Sequence, residues 1–165
     1  MKRTLMLLVA VLSATVILSA QSLSSQAAKS EAKEYKKSGW RTIDGEPSME
    51  QQLVKIYEYQ MASDEYGAEK YHIACGVGLE DTYNAAMTSA LKSCEIDAFS
   101  SMEAQSVTIS RNKNGEPTII TPSPSTGYKL APQIMLGNFY RPKEGKIEVR
   151  IICAYERSKC VIPKR

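Results

Sequence analysis

Three groups of residues could carry chemistry in this chain: four cysteines, a single histidine and a pair of closely spaced glycines. Four cysteines allow two disulfides, in three connectivities. No C-x-x-C motif occurs, so the sequence predicts neither a thioredoxin-like redox site nor a zinc knuckle. The cysteines are Cys75, Cys94, Cys153 and Cys160.

Two of the cysteines are predicted to lie at a similar depth. Cys75 precedes the end of a predicted strand by about 13 Å at the rise of a β-strand. Cys94 lies about 18 Å into the helix that follows, at helical rise. Both belong to stripes expected to face the core, so the sequence allows a Cys75–Cys94 disulfide, with Cys153–Cys160 as the second. The alternative, weighed equally, is that Cys75, Cys94 and Cys153 are small buried hydrophobic residues.

The glycine pair lies in IACGVGLEDTYNAAM, residues 73–87, at Gly76 and Gly78. A dinucleotide-binding fingerprint needs a third glycine at position 81, which is Asp81, and no Walker A motif follows. Glu80 and Asp81 also place negative charge where a phosphate would bind. We therefore expect no nucleotide cofactor. The glycines are predicted to mark a bulge or to let a neighbouring element approach the strand closely.

His72 is the only histidine. No G-x-S-x-G, H-E-x-x-H or EF-hand motif accompanies it, and no nearby carboxylate is placed to orient it. We predict a packed or surface histidine, with no catalytic residue and no metal site. The tyrosines could form a surface for a glycan or a protein. Because they form no regular aromatic ladder, we instead expect Tyr83 and Tyr155 to lie in the core and the others at its edge.

Two helices are predicted ahead of the glycine pair. The first follows a Ser-, Ala- and Gln-rich stretch at residues 21–30, expected to be disordered, and ends at Gly39. The second begins at Ser48, which has capping-box spacing with Gln51.

The stretch KYHIACGVGLE has the period of two that is typical of a strand. One face of this strand carries apolar residues, namely Tyr71, Ile73, Cys75, Val77 and Leu79. The other face carries mainly small residues, namely His72, Ala74, Gly76 and Gly78. A long helix follows in DTYNAAMTSALKSCEIDAFSSM, with Asp81 placed to cap it.

The C-terminal part of the chain predicts strands. A small hairpin is expected around Asn114 and Gly115, a favoured turn pair. A clearer hairpin joins QIMLGNFY to KIEVRIICAY. The predicted fold class is therefore α+β: a long helix packed on a small, mainly antiparallel sheet in two layers, with N-terminal helices.

The N-terminus has the pattern of a secretory signal peptide. Lys2 and Arg3 precede an apolar run that is shorter than the roughly 20 residues of a membrane-spanning helix. Cleavage is expected after Ala20 or Ala27. The predicted organisation is a signal peptide at 1–27, a flexible lead-in with a short helix at 28–47, and one α+β domain at 48–162. No cysteine near the cleavage region could accept a lipid.

The charge pattern bears on the partners. Without Lys2 and Arg3, basic and acidic residues are almost balanced and form no block of like charge. This argues against nucleic acid as a partner and against an anionic membrane surface.

The segment YHIACGVGLEDTYNAAMTSALKSCEIDA resembles the core of the small outer-membrane lipoproteins typified by a Helicobacter surface lipoprotein, and that of related exported Bacteroides-type proteins of unassigned role. The resemblance covers roughly residues 30–155 and is most specific over 71–98. It departs in lacking a lipid-acceptor cysteine and over residues 103–132, which are expected to be non-helical where longer members look helical. The resemblance implies an envelope protein with a small α+β domain and no transferable catalytic residue.

Together these observations predict an exported bacterial envelope protein, periplasmic or extracellular, with a binding or structural role and no cofactor. Its expected partner is an envelope protein or cell-wall glycan. The alternatives are an envelope hydrolase and a secreted factor. A cleft that gathers His72 with two carboxylates would favour the hydrolase, whereas an exposed sheet edge or apolar patch would favour the binding protein.

Overall fold

The computed structural model describes residues 24–105, 108–111, 117–120 and 129–161. Helix α1 covers residues 24–37 of the described chain. In chain order the remaining elements are α2 (Met49–Met61), β1 (Tyr71–Glu80), α3 (Tyr83–Gln105), β2 (Thr108–Arg111), β3 (Pro117–Ile120), β4 (Ile134–Lys143), β5 (Lys146–Glu156) and a 3-10 turn (Arg157–Lys159). Asn114 and Gly115 lie outside the described residues.

The main sheet is antiparallel, with β5 between β1 and β4. Strands β4 and β5 form the predicted C-terminal hairpin, whose turn is made by Glu144 and Gly145, both with positive φ. Positive φ at both central residues is typical of the tight turns that match the twist of a hairpin. Strands β2 and β3 pair separately as a two-stranded sheet.

Helix α3 covers one face of the sheet through the small residues of β1. A Cβ atom added to Gly76 would overlap the backbone at Ala90 and Cys94, and one added to Gly78 would overlap the backbone at Ala86. The predicted close approach at the glycines is confirmed, as is the long helix packed on an antiparallel sheet. The core between these layers contains Ala74, Ala86, Ala90, Cys94, Ala98, Met102, Val149, Ile151, Cys153 and Tyr155.

The expectation that the larger apolar residues of β1 face the core is wrong for three of them. Cys75, Val77 and Leu79 are exposed, whereas His72 and Ala74 are buried. The reason is steric, because a helix can approach a strand this closely only over residues with little or no side chain.

The opposite face of the sheet is covered by α1 and α2, so the two-layer description is incomplete. A second core cluster joins Ala28, Ala32 and Trp40 to residues of α2, β4 and β5. The predicted disorder of residues 21–30 is wrong for residues 24–30, which are helical. Burial of Ala28 and Ala32 against the domain accounts for that helix, and the lead-in therefore packs on the sheet.

The helix ends show which capping predictions hold. Ser48 and Gln51 form the predicted capping box at the start of α2. Thr82, rather than Asp81, caps α3, because its hydroxyl accepts the amide N–H of Ala85 at 3.3 Å. Asp81 is exposed and lies 3.8 Å from the Lys146 ammonium. Helix α3 also continues to Gln105, so the expected non-helical segment does not begin at residue 103.

Buried polar side chains fix the layers in register. The side-chain oxygen of Gln52 accepts the amide N–H of Asn138 at 2.7 Å, and the Asn138 side chain is hydrogen-bonded to the Tyr83 hydroxyl. These contacts link α2, β4 and the start of α3. A buried group of this kind is costly when one member is removed, because its partners are left without hydrogen bonds.

Candidate functional site

Strand β1 has a free edge. Among the residues that the structure describes, only β5 pairs with it. The amide N–H of Cys75 points outward and donates to the Asp97 carboxylate on α3 at 2.9 Å. Alternate residues of an antiparallel strand direct their backbone groups to the same side, so those of Val77 and Leu79 also point to the free edge.

The side chains along this edge are apolar and exposed. Val77 is 41% exposed and Leu79 is 39% exposed, while Cys75 is also exposed. We call these three residues, with their outward backbone groups, the β1 edge surface. An unpaired strand edge that carries apolar side chains is a template for another strand.

The opposite edge of the sheet is protected. Arg41 forms a bridge to Tyr140 of β4, with both backbone N–H groups bonded at 2.8 and 2.9 Å. Arg141 follows Tyr140 on the same strand. Its guanidinium stacks over the Trp40 ring, 4.5 Å from the ring centre, and donates a hydrogen bond of 2.5 Å to the Glu148 carboxylate. The two edges of the sheet thus differ in their capacity to accept a further strand.

A cavity of about 330 Å³ continues the β1 edge surface toward the start of the strand. It lies between the N-terminal helices and α3, with Ile73 and Cys75 on one side and Asp97 on the other. Tyr57 donates a hydrogen bond of 2.5 Å to Glu31 at its wall, and this bond is the main reason that the pKa of Tyr57 is raised to about 12. The cavity therefore mixes apolar and polar lining.

His72 lies beside a second cavity of about 280 Å³. It is 7% exposed, and its Nε2 atom has no hydrogen-bond partner among the described residues. Burial is the main reason that the pKa of His72 is lowered; the Arg157 charge lowers it further, and Asp97 and Glu69 oppose the shift. Of the two predicted placements, packed or at the surface, the structure shows the packed one.

Both carboxylates near His72 are bonded to other groups. Glu69 forms an ion pair with the Arg157 guanidinium at 2.5 Å, and Asp97 accepts the amide of Cys75. A general base needs its nitrogen within hydrogen-bond reach of an orienting group or a substrate proton. Since neither carboxylate orients the imidazole, this arrangement does not form an acid–base pair.

The cysteines are placed differently from the predicted pairs. No disulfide joins any two of them in the structure. Cys75 and Cys94 lie on opposite sides of β1, so the predicted Cys75–Cys94 disulfide is wrong. The Cys160 sulfur accepts the amide N–H of Ala131 at 3.4 Å and is not bonded to Cys153.

Tyr155 is buried, as expected, whereas Tyr83 is only partly buried against the core. Sequence reasoning did not identify Asp97 or Arg157 as neighbours of β1. Asp97 lies 22 residues beyond Cys75 in the chain, and only the packing of α3 on β1 brings them together.

Within the described ranges, no helix is long and apolar enough to cross a membrane, and no group of His, Cys, Asp or Glu side chains could hold a metal ion. Comparisons with protein-family models, curated proteins and solved structures give no match. The resemblance to the Helicobacter-type lipoproteins and their exported relatives stays a prediction.

Proposed function

We propose that this chain is an exported bacterial envelope protein that binds another envelope protein without catalysing a reaction. Its partner contributes an extended segment that pairs with the β1 edge surface. In this mode of recognition, backbone hydrogen bonds supply affinity and alternate side chains supply specificity.

The observation that carries this proposal is the exposure of Val77 and Leu79 on a strand edge with which no described residue pairs. Soluble proteins usually blunt such edges with lysine, proline or a covering segment. Here Asp97 occupies one outward amide, that of Cys75. The half of β1 beyond Cys75 offers the backbone groups of Val77 and Leu79 to a partner strand.

Export is supported by the N-terminal sequence, and the burial of α1 favours one of the two cleavage positions. Ser24 and Ala28 are 5% and 0% exposed. Cleavage after Ala27 would remove Ser24 from the helix and make Ala28 the new terminus. Its charged amino group would then lie at a buried position, which is unfavourable. We therefore infer cleavage after Ala20, which N-terminal sequencing of the exported protein would test.

An envelope hydrolase is the second candidate, because the cavity beside His72 also contains Glu69 and Arg157. If the protein hydrolyses envelope material at this site, His72→Gln should abolish that activity while the protein stays folded. Hydrolysis that is unchanged in this variant would exclude His72 as its base.

The binding proposal is tested by one substitution and a matched control. Val77→Lys places a charge on the β1 edge surface, whereas Val161→Lys places the same charge at a site that is 51% exposed near the C-terminus. Both variants should fold, since both positions are open to solvent. After chemical cross-linking in intact cells and purification of the protein, the wild type and Val161→Lys should retain the same partner, and Val77→Lys should lose it. Equal retention by both variants would contradict a binding site at β1.

A further inference from the structure

Two cysteines that are distant in the chain meet in the core between α3 and the sheet. Cys94 and Cys153 are both fully buried. Their side chains are neighbours in the same core cluster, without a covalent bond between them. The Cys94 thiol also donates to the carbonyl oxygen of Ala74 at 3.3 Å.

The sheet register explains this meeting. Ala74 of β1 is the cross-strand partner of Cys153 on β5. Directly paired residues of an antiparallel sheet project to the same face. Cys94 lies over Ala74, so it also lies beside Cys153. The glycines of β1 let α3 approach the sheet closely enough for the two side chains to touch.

The other two cysteines have different surroundings. Cys75 is exposed on the face of β1 that points away from α3. Cys160 follows the last strand, where its thiol donates to the carbonyl oxygen of Glu156 at 3.4 Å and accepts the amide of Ala131. Neither one contacts the buried pair through a hydrogen bond among the described residues.

We propose that Cys94 and Cys153 form a disulfide that joins α3 to the central strand, and that Cys75 and Cys160 remain thiols. The formation of this bond in the cell rests on the proposed export, because disulfides persist in oxidising compartments. The pairing itself rests only on the geometry of the folded chain.

The oxidant is a disulfide carried by a protein or by a small thiol compound. One cysteine thiolate attacks the carrier disulfide, which forms a mixed disulfide and releases one carrier thiol. The second thiolate then attacks the sulfur of the first cysteine, which forms Cys94–Cys153 and releases the second carrier thiol. Two electrons pass to the carrier, and the two protons lost by the cysteines are taken up by its two thiols. Because both sulfurs are buried in the final fold, the exchange takes place before α3 docks.

In the docked fold the contact between the two thiols shifts their pKa values in opposite directions. The contact with Cys153 is the main reason that the pKa of the Cys94 thiol is lowered, while the same contact and burial raise the pKa of Cys153. This asymmetry arises only once α3 has docked, so either thiolate can make the first attack on the carrier.

The test is peptide mapping of the full chain after alkylation without reduction. The protein should be isolated from cells and, in parallel, refolded from the reduced state in oxidised glutathione. We expect one linked peptide pair that contains Cys94 and Cys153, with Cys75 and Cys160 fully alkylated. Cys94→Ser should free Cys153 for alkylation once the chain is unfolded, whereas the control Cys75→Ser should leave the linked pair intact.

The two samples separate the pairing from the proposed function. Four alkylated cysteines after oxidative refolding, or a link that includes Cys75 or Cys160, would overturn the pairing. A Cys94–Cys153 link after refolding, with four thiols in the cellular protein, would support the pairing and contradict export to an oxidising compartment.

Discussion

The contact between α3 and β1 leads to a strong prediction for Gly76→Ala. The added Cβ would lie 2.8 Å from the Cβ of Cys94 and closer still to the backbone at Ala90 and Cys94. Carbon atoms in contact normally lie about 3.5–4.0 Å apart, so α3 must move outward by about 1 Å. Backbone atoms on both sides cannot rotate away, as a flexible side chain could.

The expected loss of stability follows from this displacement of α3. A gap of about 0.5–1 Å loses a quarter to a half of the dispersion attraction between contacting atoms. Overpacked cores are typically destabilised by about 1–3 kcal/mol, and we expect Gly76→Ala to reach the upper end, about 3 kcal/mol. In a protein of this size, that corresponds to a fall in melting temperature of about 10 °C.

The assay is equilibrium unfolding in urea, with Gly145→Asn as the control. Gly145 has a positive φ of 78°, which asparagine tolerates, and a Cβ there would meet no atom within 4 Å. The control should therefore lower the free energy of unfolding by less than about 1 kcal/mol, because only the backbone preference at residue 145 changes. Gly78→Ala should lower the free energy of unfolding by a similar amount. The double variant should lower it by less than the sum of the two single losses, since one displacement of α3 relieves both overlaps. A loss below about 0.5 kcal/mol for Gly76→Ala would refute close packing of α3 on this face.

Three further predictions concern the helix cap and the charged groups. Ser48→Ala should lower the free energy of unfolding by about 1 kcal/mol, because it removes the side-chain acceptor of the capping box; no change in urea unfolding would contradict this. The pKa of His72 lies below its ordinary value of 6.5, so the unfolded chain takes up the proton first and stability should fall as the pH falls below 6.5. NMR titration of the imidazole should show the lowered pKa, and His72→Gln should remove this part of the pH dependence; a pKa at or above 6.5 would disprove it. Glu148 is penalised by burial, but its bonds to Arg141 and Lys143 hold its pKa below the ordinary 4.5, so its stabilisation should be lost as the pH falls through the region below 4.5. Glu148→Gln should cost about 1.5–3 kcal/mol at neutral pH and flatten the acid limb of the stability profile; an unchanged acid limb would rule out this role.

Local sequence signals predicted the features that depend on near neighbours in the chain. The capping box at Ser48 and Gln51 is set by a spacing of three residues. The C-terminal hairpin is set by the alternation of its strands and by Gly145 in the turn. Of the two uses predicted for the glycines of β1, a bulge or a close approach, the structure shows the close approach of α3.

Features that depend on the assembly of the layers could not be predicted in the same way. Hydrophobicity ranks Val77 and Leu79 above Ala74 as core residues, yet the helix needs the small face of β1 and leaves these two side chains exposed. The meeting of Cys94 with Cys153 depends on the order of the strands, which no local pattern specifies. Estimates of depth along β1 and α3 also did not reveal on which side of the strand Cys75 would lie.

The central claim, that the β1 edge surface binds an envelope protein, is most directly tested by a photoreactive amino acid placed at Val77 in cells. The account predicts one discrete cross-linked product that contains an envelope protein, and no such product from the same group placed at Val161. Identical products from both positions, or none from Val77 while chemical cross-linking still captures the partner, would contradict it.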